Sequence, residues 1–380
     1  MGRTSRASYN SQGQPITQTN ALGHTTRLSY DPAGNLTHIT NPLGETLSHA
    51  YDARGRRVQS TTAEGKVQHI RYNAGGQVIE IIAPGQSEGQ GLRTEYDQAG
   101  RPVKTTSAGG LATTTAYDSL GRISQTQDPA GNVTTYEYGP EGSPLAGLLT
   151  MVNYPTYKET YQYDQRNRQT AVTQHLGQGQ TRVQRQAYDA AGQRISATDP
   201  AGHSTLYQYD ALGRLIQSTD ALGGQTRQSW DAHEQLTSLT DAKGNTHQFE
   251  YDKAGQLIQE TRPMGGAIRY AYDAAGQLTK RTDAGGNTRN YTYDAAQRMT
   301  LEEHKLSGQQ TDQKISYQYD KDGQLKGYEQ TDGQGQLISR ASYQRDAQGR
   351  VATSGHTYGK EDGTTFSFQI GQSFNALLYP

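Results

Sequence analysis

The sequence contains no cysteine. Disulfide staples, thiol catalysis and cysteine–zinc sites are excluded together, while the redox compartment stays open. Neither sign of charge dominates: 36 basic residues face 37 acidic ones, for a net charge of -1. The arginines are scattered rather than clustered, so the electrostatic footprint of a nucleic-acid binder is missing. No apolar run approaches the roughly 18 residues of a membrane span. Met1 to Arg6 does not lead into the apolar core of a secretory signal. Hydrophobic residues make up only 32% of the chain, against roughly 45–50% in globular domains. So thin an apolar supply argues for one-faced or shallow burial, with disorder as the competing explanation.

Two features oppose disorder: 26 tyrosines, and glycines in strict register with them. Tyr188-Asp189, Tyr209-Asp210, Trp230-Asp231, Tyr251-Asp252, Tyr272-Asp273 and Tyr293-Asp294 follow one another at intervals of 21 residues. The same beat runs through Tyr9, Tyr30, Tyr51 and Tyr72, then through Tyr96, Tyr117 and Tyr138. A period of this size marks a repeat architecture, so the usual division of a long chain into globular domains does not apply.

Within one repeat, Asp189 to Gly192 and Asp199 to Gly202 form two Asp-x-x-Gly units ten residues apart. Aspartate at the first turn position can accept from its own backbone two residues on. Glycine three later supplies the positive φ of a type I turn with a bulge. Segments of about six residues rich in Thr, Tyr, Ile and Leu lie between the turns and read as short strands. One repeat is thus two antiparallel strands and two tight turns. The spacing by two of Tyr207 and Tyr209, Phe249 and Tyr251, and Tyr270 and Tyr272 puts each pair on one face of the sheet. Asn167, Glu234 and Gln297 replace the turn glycine. Asn tolerates the left-handed region, whereas Glu and Gln predict a strained or different turn. Trp230 reads as a packing substitute for tyrosine.

The fold class expected is all-β, an array of antiparallel hairpins forming a curled or spiral sheet. The array is expected over residues 1–345, in about fifteen repeats of about 21 residues, with longer loops near 80–92, 143–158, 175–182 and 303–313. Residues 346–380 read as a degenerate last repeat, in which Arg345-Asp346 loses the tyrosine, and a tail. About 30 strands would give roughly 140 Å of ribbon, which must curl because sheets twist. Open strand edges at either end invite pairing with more of the same array.

Chemistry has little foothold. None of the ten histidines pair at metal-ligand spacing, and His24 and His203 read as solvated turn residues. The Asp-x-x-Gly turns are sparser than those of calcium-binding nonapeptide repeats. No Gly-x-Ser-x-Gly elbow, phosphate loop or His-Glu-x-x-His helix is present. No catalytic residue, cofactor or metal ligand is assigned, and no enzymatic activity is expected.

Tyr209-Asp-Ala-Leu-Gly-Arg-Leu215, Tyr117-Asp-Ser-Leu-Gly-Arg-Ile123 and Tyr251-Asp-Lys-Ala-Gly-Gln-Leu257 resemble the YD repeats of the RHS family. The resemblance runs from about residue 9 to 351. It implies a β ribbon spiralling into a hollow shell around a toxin domain, as in bacterial polymorphic toxins and toxin-complex C components, with a similar barrel in teneurins. It also implies partners: further repeats or another shell-forming chain, and an enclosed toxin. Action outside the producing cell follows from the same likeness. Family members end the repeats with an Asp-Pro-x-Gly-Leu cleavage site. Asp31-Pro-Ala-Gly34, Asp128-Pro-Ala-Gly131 and Asp199-Pro-Ala-Gly202 carry Asn35, Asn132 and His203 where that leucine belongs, and read as turns. A tyrosine- and amide-rich surface that binds carbohydrate or a cell-surface partner is the alternative function.

Overall fold

The computed structural model describes residues 4–308, 311–360 and 363–372. They form 33 strands in a single sheet, in which each strand pairs antiparallel with the ones before and after it in sequence. Most strands are five or six residues long. Two rows of turns border the ribbon. One follows each tyrosine (tyrosine turns, such as Asp210–Gly213), and the other lies midway through each repeat (mid-turns, such as Asp220–Gly223). In both rows the glycine N–H donates to the aspartate carbonyl, at 3.0 Å for Gly213 and for Gly223. The glycine φ values of 86° and 84° explain why no other residue serves as well.

Alternation fixes two faces. In Ser204–Tyr209 the tyrosines are half-buried while Leu206 and Gln208 are exposed, and the same pattern recurs in Thr246–Tyr251. The tyrosine face is the crowded one. Deep burial is scarce, as composition requires: among the described residues, Ile70, Ile82, Val152, Ala171, Ile268 and Ala341 are the buried hydrophobic ones.

The ribbon comes back onto itself. The tyrosine turn after the twenty-seventh strand meets the mid-turn after the fourth through Arg298 and Glu45. The turn after the twenty-ninth meets the one after the sixth through Asp322 and Lys66. Gly85, after the eighth strand, lies against Ala347, after the thirty-first. Each contact spans 23 strands. At about 4.8 Å per strand a lap is about 110 Å around, or roughly 35 Å across. The sheet is therefore curled and unclosed, and its second lap rests on the first.

Several expectations need correction. The stretch 175–182 is not a loop, because Gln169–Gly177 and Gln180–Tyr188 pair almost to their tip at Gln178 and Gly179. Leu149–Asn153, inside the loop expected at 143–158, is a strand. Near 303–313, Met299–Lys305 and Thr311–Tyr319 extend into the expected loop, and residues 309–310 lie outside the described residues. Beyond residue 345 the tyrosine beat fades but the sheet does not: Val351–Gly359 and Thr365–Gly371 continue it. At Glu234 and Gln297, where a strained or different turn is expected, the strained one is present and the turn type does not change. They keep its hydrogen bonds and adopt φ of 64° and 67°, as Asn167 does at 61°. Strain is accepted and the turn is kept.

Candidate functional site: the tyrosine stitch and the lap seam

A register shift precedes every tyrosine turn, as between Gln208 and Tyr209, where Tyr209 pairs with Leu215. A bulge leaves backbone groups off the ladder, and those groups need partners. Twelve tyrosines supply them. The hydroxyl of each donates to the carbonyl opposite the preceding repeat's aromatic residue, as Tyr51 does to Leu36, Tyr251 to Leu236 (opposite Trp230) and Tyr272 to Leu257, all twelve at 2.7–2.9 Å. Trp230 keeps the bond with its indole N–H, 2.8 Å from the Leu215 carbonyl. Arg345 keeps it with a guanidinium N–H, 3.1 Å from Leu325. In the repeat of Tyr188, the Gln186 amide donates instead to Gln169 at 2.8 Å. The donor is constant and the ring is not. Burial pushes the phenols of Tyr251, Tyr272 and Tyr293 up.

The aspartate completes the stitch. One Asp210 oxygen accepts the N–H groups of Leu212 and Arg214, and the other accepts the Arg214 guanidinium. The Arg214 N–H first, and its guanidinium second, hold the carboxyl below the usual range. Arg56, Arg101, Arg122, Arg168 and Arg298 then lie 4.2–5.2 Å over the next tyrosine ring. Where glutamine replaces arginine, its amide reaches the next turn, as Gln256 does to the Gly276 carbonyl at 2.9 Å. These carboxylates are engaged by their own turns. The three Asp-Pro-Ala-Gly segments are turns of the same kind, closed by Gly34, Gly131 and Gly202.

The lap seam is polar. Asp322 accepts from the Lys66 ammonium at 2.9 Å, the Thr62 hydroxyl at 3.0 Å and the Glu64 N–H at 2.9 Å. The Glu64 carboxylate accepts the Lys321 N–H in return at 2.9 Å. Burial would raise the Asp322 carboxyl, but Lys66 and the two donors outweigh it and the pKa is lowered. Arg298 joins Asp294 of its own turn to Glu45 of the first lap. His24 shares a cleft with Asn41 of the first lap and Ala295 to Gln297 of the second, beside this seam. It is half-buried with an unpartnered Nδ1 rather than solvated, whereas His203 is exposed and bonds Asp199. The seam residues went unrecognised in the sequence, although one signal was present. Glu45 and Lys66 carry charge at the mid-turn exit, where Asn132, Asn245 and Asn287 stand in later repeats.

Two departures from the repeat shape the faces. The segment 83–91 folds over the face opposite the tyrosines and covers Glu80, which is 2% exposed. Burial opposes ionisation there, but the Gly91 N–H, Arg71 and the Gly89 N–H overcome it and lower the pKa. On the tyrosine face, the row of rings through Tyr161 and Tyr207 is interrupted by Gln186, with Ala197 opposite it. A cleft of about 730 Å³ opens there, lined by Val172, Gln184, Gln186, Arg194, His203 and Thr205 among others. Among the described residues no cluster of side chains could hold a metal ion.

Comparison with known proteins agrees with this geometry. The family model described as RHS Repeat matches residues 9–46, 30–67, 96–133, 188–225, 209–246, 251–288 and 272–310, more than half of the chain. A curated relative, double-stranded DNA deaminase toxin A of Burkholderia cenocepacia (strain H111), is 32% identical over 122 residues, which are 32% of this chain and 8% of that protein. Among solved structures, the TcdB2-TccC3 crystal structure aligns with 98% of this chain at a TM-score of 0.66 and 18% identity. The Tc holotoxin pore of Photorhabdus luminescens aligns with 98% at 0.58 and 14% identity. At such identities the likeness is one of fold. The chain spans 23% and 26% of those two chains.

Proposed function

The chain belongs to the RHS repeat family, and from that premise we propose that it is a segment of a hollow shell that encloses and helps deliver a toxin domain carried elsewhere. The observation that supports this reading is the lap. A ribbon whose second lap seats on its first through Glu45, Lys66, Arg298 and Asp322 becomes a wall around a space instead of an open sheet. The repeated residues are all spent on building that wall: tyrosines stitch bulges, aspartates close turns, and arginines and glutamines tie one turn to the next. The role is structural rather than catalytic. The site of action is outside the producing cell, after export with the cargo. Further shell-forming chain and the enclosed toxin are the partners.

Small-angle scattering tests the wall. The expected distance distribution is that of a hollow body roughly 35 Å across, and a solid globule or an extended ribbon would refute it. Co-expression with a candidate toxin domain tests the cargo, which is expected to resist protease only while the seam is intact.

The second reading, carbohydrate recognition, is favoured by one feature. The cleft at Gln186 is lined by amide, guanidinium and hydroxyl groups, and its Arg194 lies 5.0 Å over the Tyr207 ring, a combination suited to sugars. A glycan array without signal above background removes it.

A further inference from the structure

Asp322 does for a turn of the first lap what most turns do for themselves. In Asp241–Gly244 one carboxylate oxygen accepts the N–H groups of Lys243 and Asn245 at 2.9 Å, and the other accepts the Asn245 amide at 2.8 Å. The mid-turn after the sixth strand has Thr62 where that aspartate stands and Lys66 at the exit. It closes as usual, with the Gly65 N–H 2.9 Å from the Thr62 carbonyl, but it owns no such carboxylate. Asp322 of the second lap supplies one in the same arrangement. Its Oδ1 accepts the Glu64 N–H and its Oδ2 the Lys66 ammonium, both at 2.9 Å. The Thr62 hydroxyl adds a third donor at 3.0 Å. Among the tyrosine turns that run from an aspartate to a glycine three residues on, Asp322 is the one acid at the third position.

The contact one repeat earlier has the opposite polarity. There the first lap offers Glu45 and the second Arg298, 3.3 Å apart, whereas at Thr62 the first lap offers Lys66 and the second Asp322. The exits of the tyrosine turns follow the same order. Arg298 and Arg350 occupy two of them, but the exit between is Gln324, whose Oε1 lies 3.5 Å from the Lys66 ammonium. Arginine is missing where Lys66 would meet it. A lap shorter by one repeat would bring Arg298 to Lys66. A lap longer by one repeat would bring Asp322 to Glu45 and Arg350 to Lys66. Either slip sets like charges together. The side chains of Glu45 and Asp322 are only 16% and 10% exposed, so salt screens them little. Repulsion of this kind rejects wrong partners as effectively as attraction selects the right one.

We infer that the charges of Glu45, Lys66, Arg298 and Asp322 set the lap at 23 strands, and with it the girth of the wall. Curl alone leaves that number open, because the rotation between neighbouring strands ranges over roughly 10 to 35° in natural sheets. Curl brings the two borders together, and the charges choose which turns meet. The inference rests on the wall reading, but it needs only the lap and not the toxin.

Zero-length carbodiimide coupling, which joins a carboxylate to an amine in contact with it, provides the test. Linked peptides are identified by mass spectrometry on the monomer. The wild-type chain is expected to give the link between Lys66 and Asp322. Glu45→Lys with Lys66→Glu reverses the polarity of the first lap and leaves the net charge unchanged. The present register then sets like charges at both contacts, whereas a lap longer by one repeat brings position 45 to Asp322 and position 66 to Arg350. The link is expected to shift to position 45 with Asp322, and unchanged thermal melting verifies the fold. Glu45→Lys alone leaves the two registers balanced, so both links are expected in one sample. A wild-type chain without the Lys66–Asp322 link removes the lap, and overturns the wall reading together with the inference. If the wild type gives that link but neither folded variant gives one at position 45, the wall stands and the charges do not set its girth.

Discussion

The stretch from Arg194 to Tyr293 and the stretch from Met299 to Gly371 belong to the same sheet but are held in different ways. In the first, strands alternate between five and six residues, and each repeat carries a ring, a clamped turn and a stitch. In the second, strands lengthen to seven, eight or nine residues. Tyr319 makes the last tyrosine stitch before Arg345 takes over. Apart from Glu302, the buried positions are small, with Ala341, Ser339 and Ser354 at 2%, 7% and 8% exposure. Glycine brings backbones together there: a Cβ on Gly327 would lie 2.5 Å from the Ala341 carbonyl oxygen. One stretch gains its order from side chains that bind backbone, and the other from longer ladders at close approach. A degenerate motif is therefore no sign of a degenerate sheet.

The largest contrast should appear in acid. Asp199, Asp210, Asp231, Asp241 and Asp283 in the regular stretch all have lowered pKa values, whereas the second stretch has Asp322 and Asp346. A carboxyl whose folded pKa is depressed contributes stability above its unfolded value of roughly 3.9, and that stability is lost as pH falls through the folded pKa. Hydrogen exchange read by mass spectrometry is expected to show Arg194 to Tyr293 opening first below about pH 4. Earlier opening of Met299 to Gly371 would contradict the division. The raised phenols of Tyr251, Tyr272 and Tyr293 work in the opposite direction. Their contribution is complete below about pH 10 and disappears as pH climbs through the folded values.

Next in size is Gly327→Val, which forces a side chain against the Ala341 backbone and should cost about 3 kcal/mol. Ser238→Val occupies the matching strand position in the regular stretch and should cost much less, by comparison of urea midpoints. Tyr272→Phe removes only the stitch donor, leaves a carbonyl unpaired, and should cost about 1 kcal/mol, whereas Trp230→Phe removes the donor together with part of the ring and should cost more. Trp230→Tyr should cost less than Trp230→Phe, which separates the hydrogen bond from ring packing. The smallest effect is expected of Arg345→Tyr. It restores the ring where the guanidinium already serves, and should change stability by less than about 0.5 kcal/mol.

Much of this was legible in the sequence because it is local. Asp189 and Gly192 close a turn within four residues, Tyr207 and Tyr209 share a face by parity, and an interval of 21 residues announces the array. What remained hidden depends on partners that side-chain patterns do not encode. The acceptor of the Tyr251 hydroxyl is a carbonyl 15 residues away, and a carbonyl is present at every position. Lengthened strands at Gln169–Gly177 and Leu337–Arg345 look in sequence like turn-to-turn spacers, because Gln, Thr and Gly serve both. The seam joins residues some 256 positions apart, and its register depends on how tightly the whole ribbon curls. The same holds for the resting place of 83–91 over Glu80. It breaks the repeat, so the period offers no template for it.

The 23-strand interval of the lap contacts can be read as a screw thread whose two flanks differ. Tyrosine turns follow odd-numbered strands and mid-turns follow even-numbered ones, so an odd interval is what sets one kind of tooth directly above the other. Duplicating a whole repeat inserts two strands and leaves that parity intact. Gaining or losing a single strand would bring like teeth together. Descent by whole-unit duplication can thus lengthen the thread indefinitely without recutting its profile, and height along the axis becomes a heritable quantity counted in repeats.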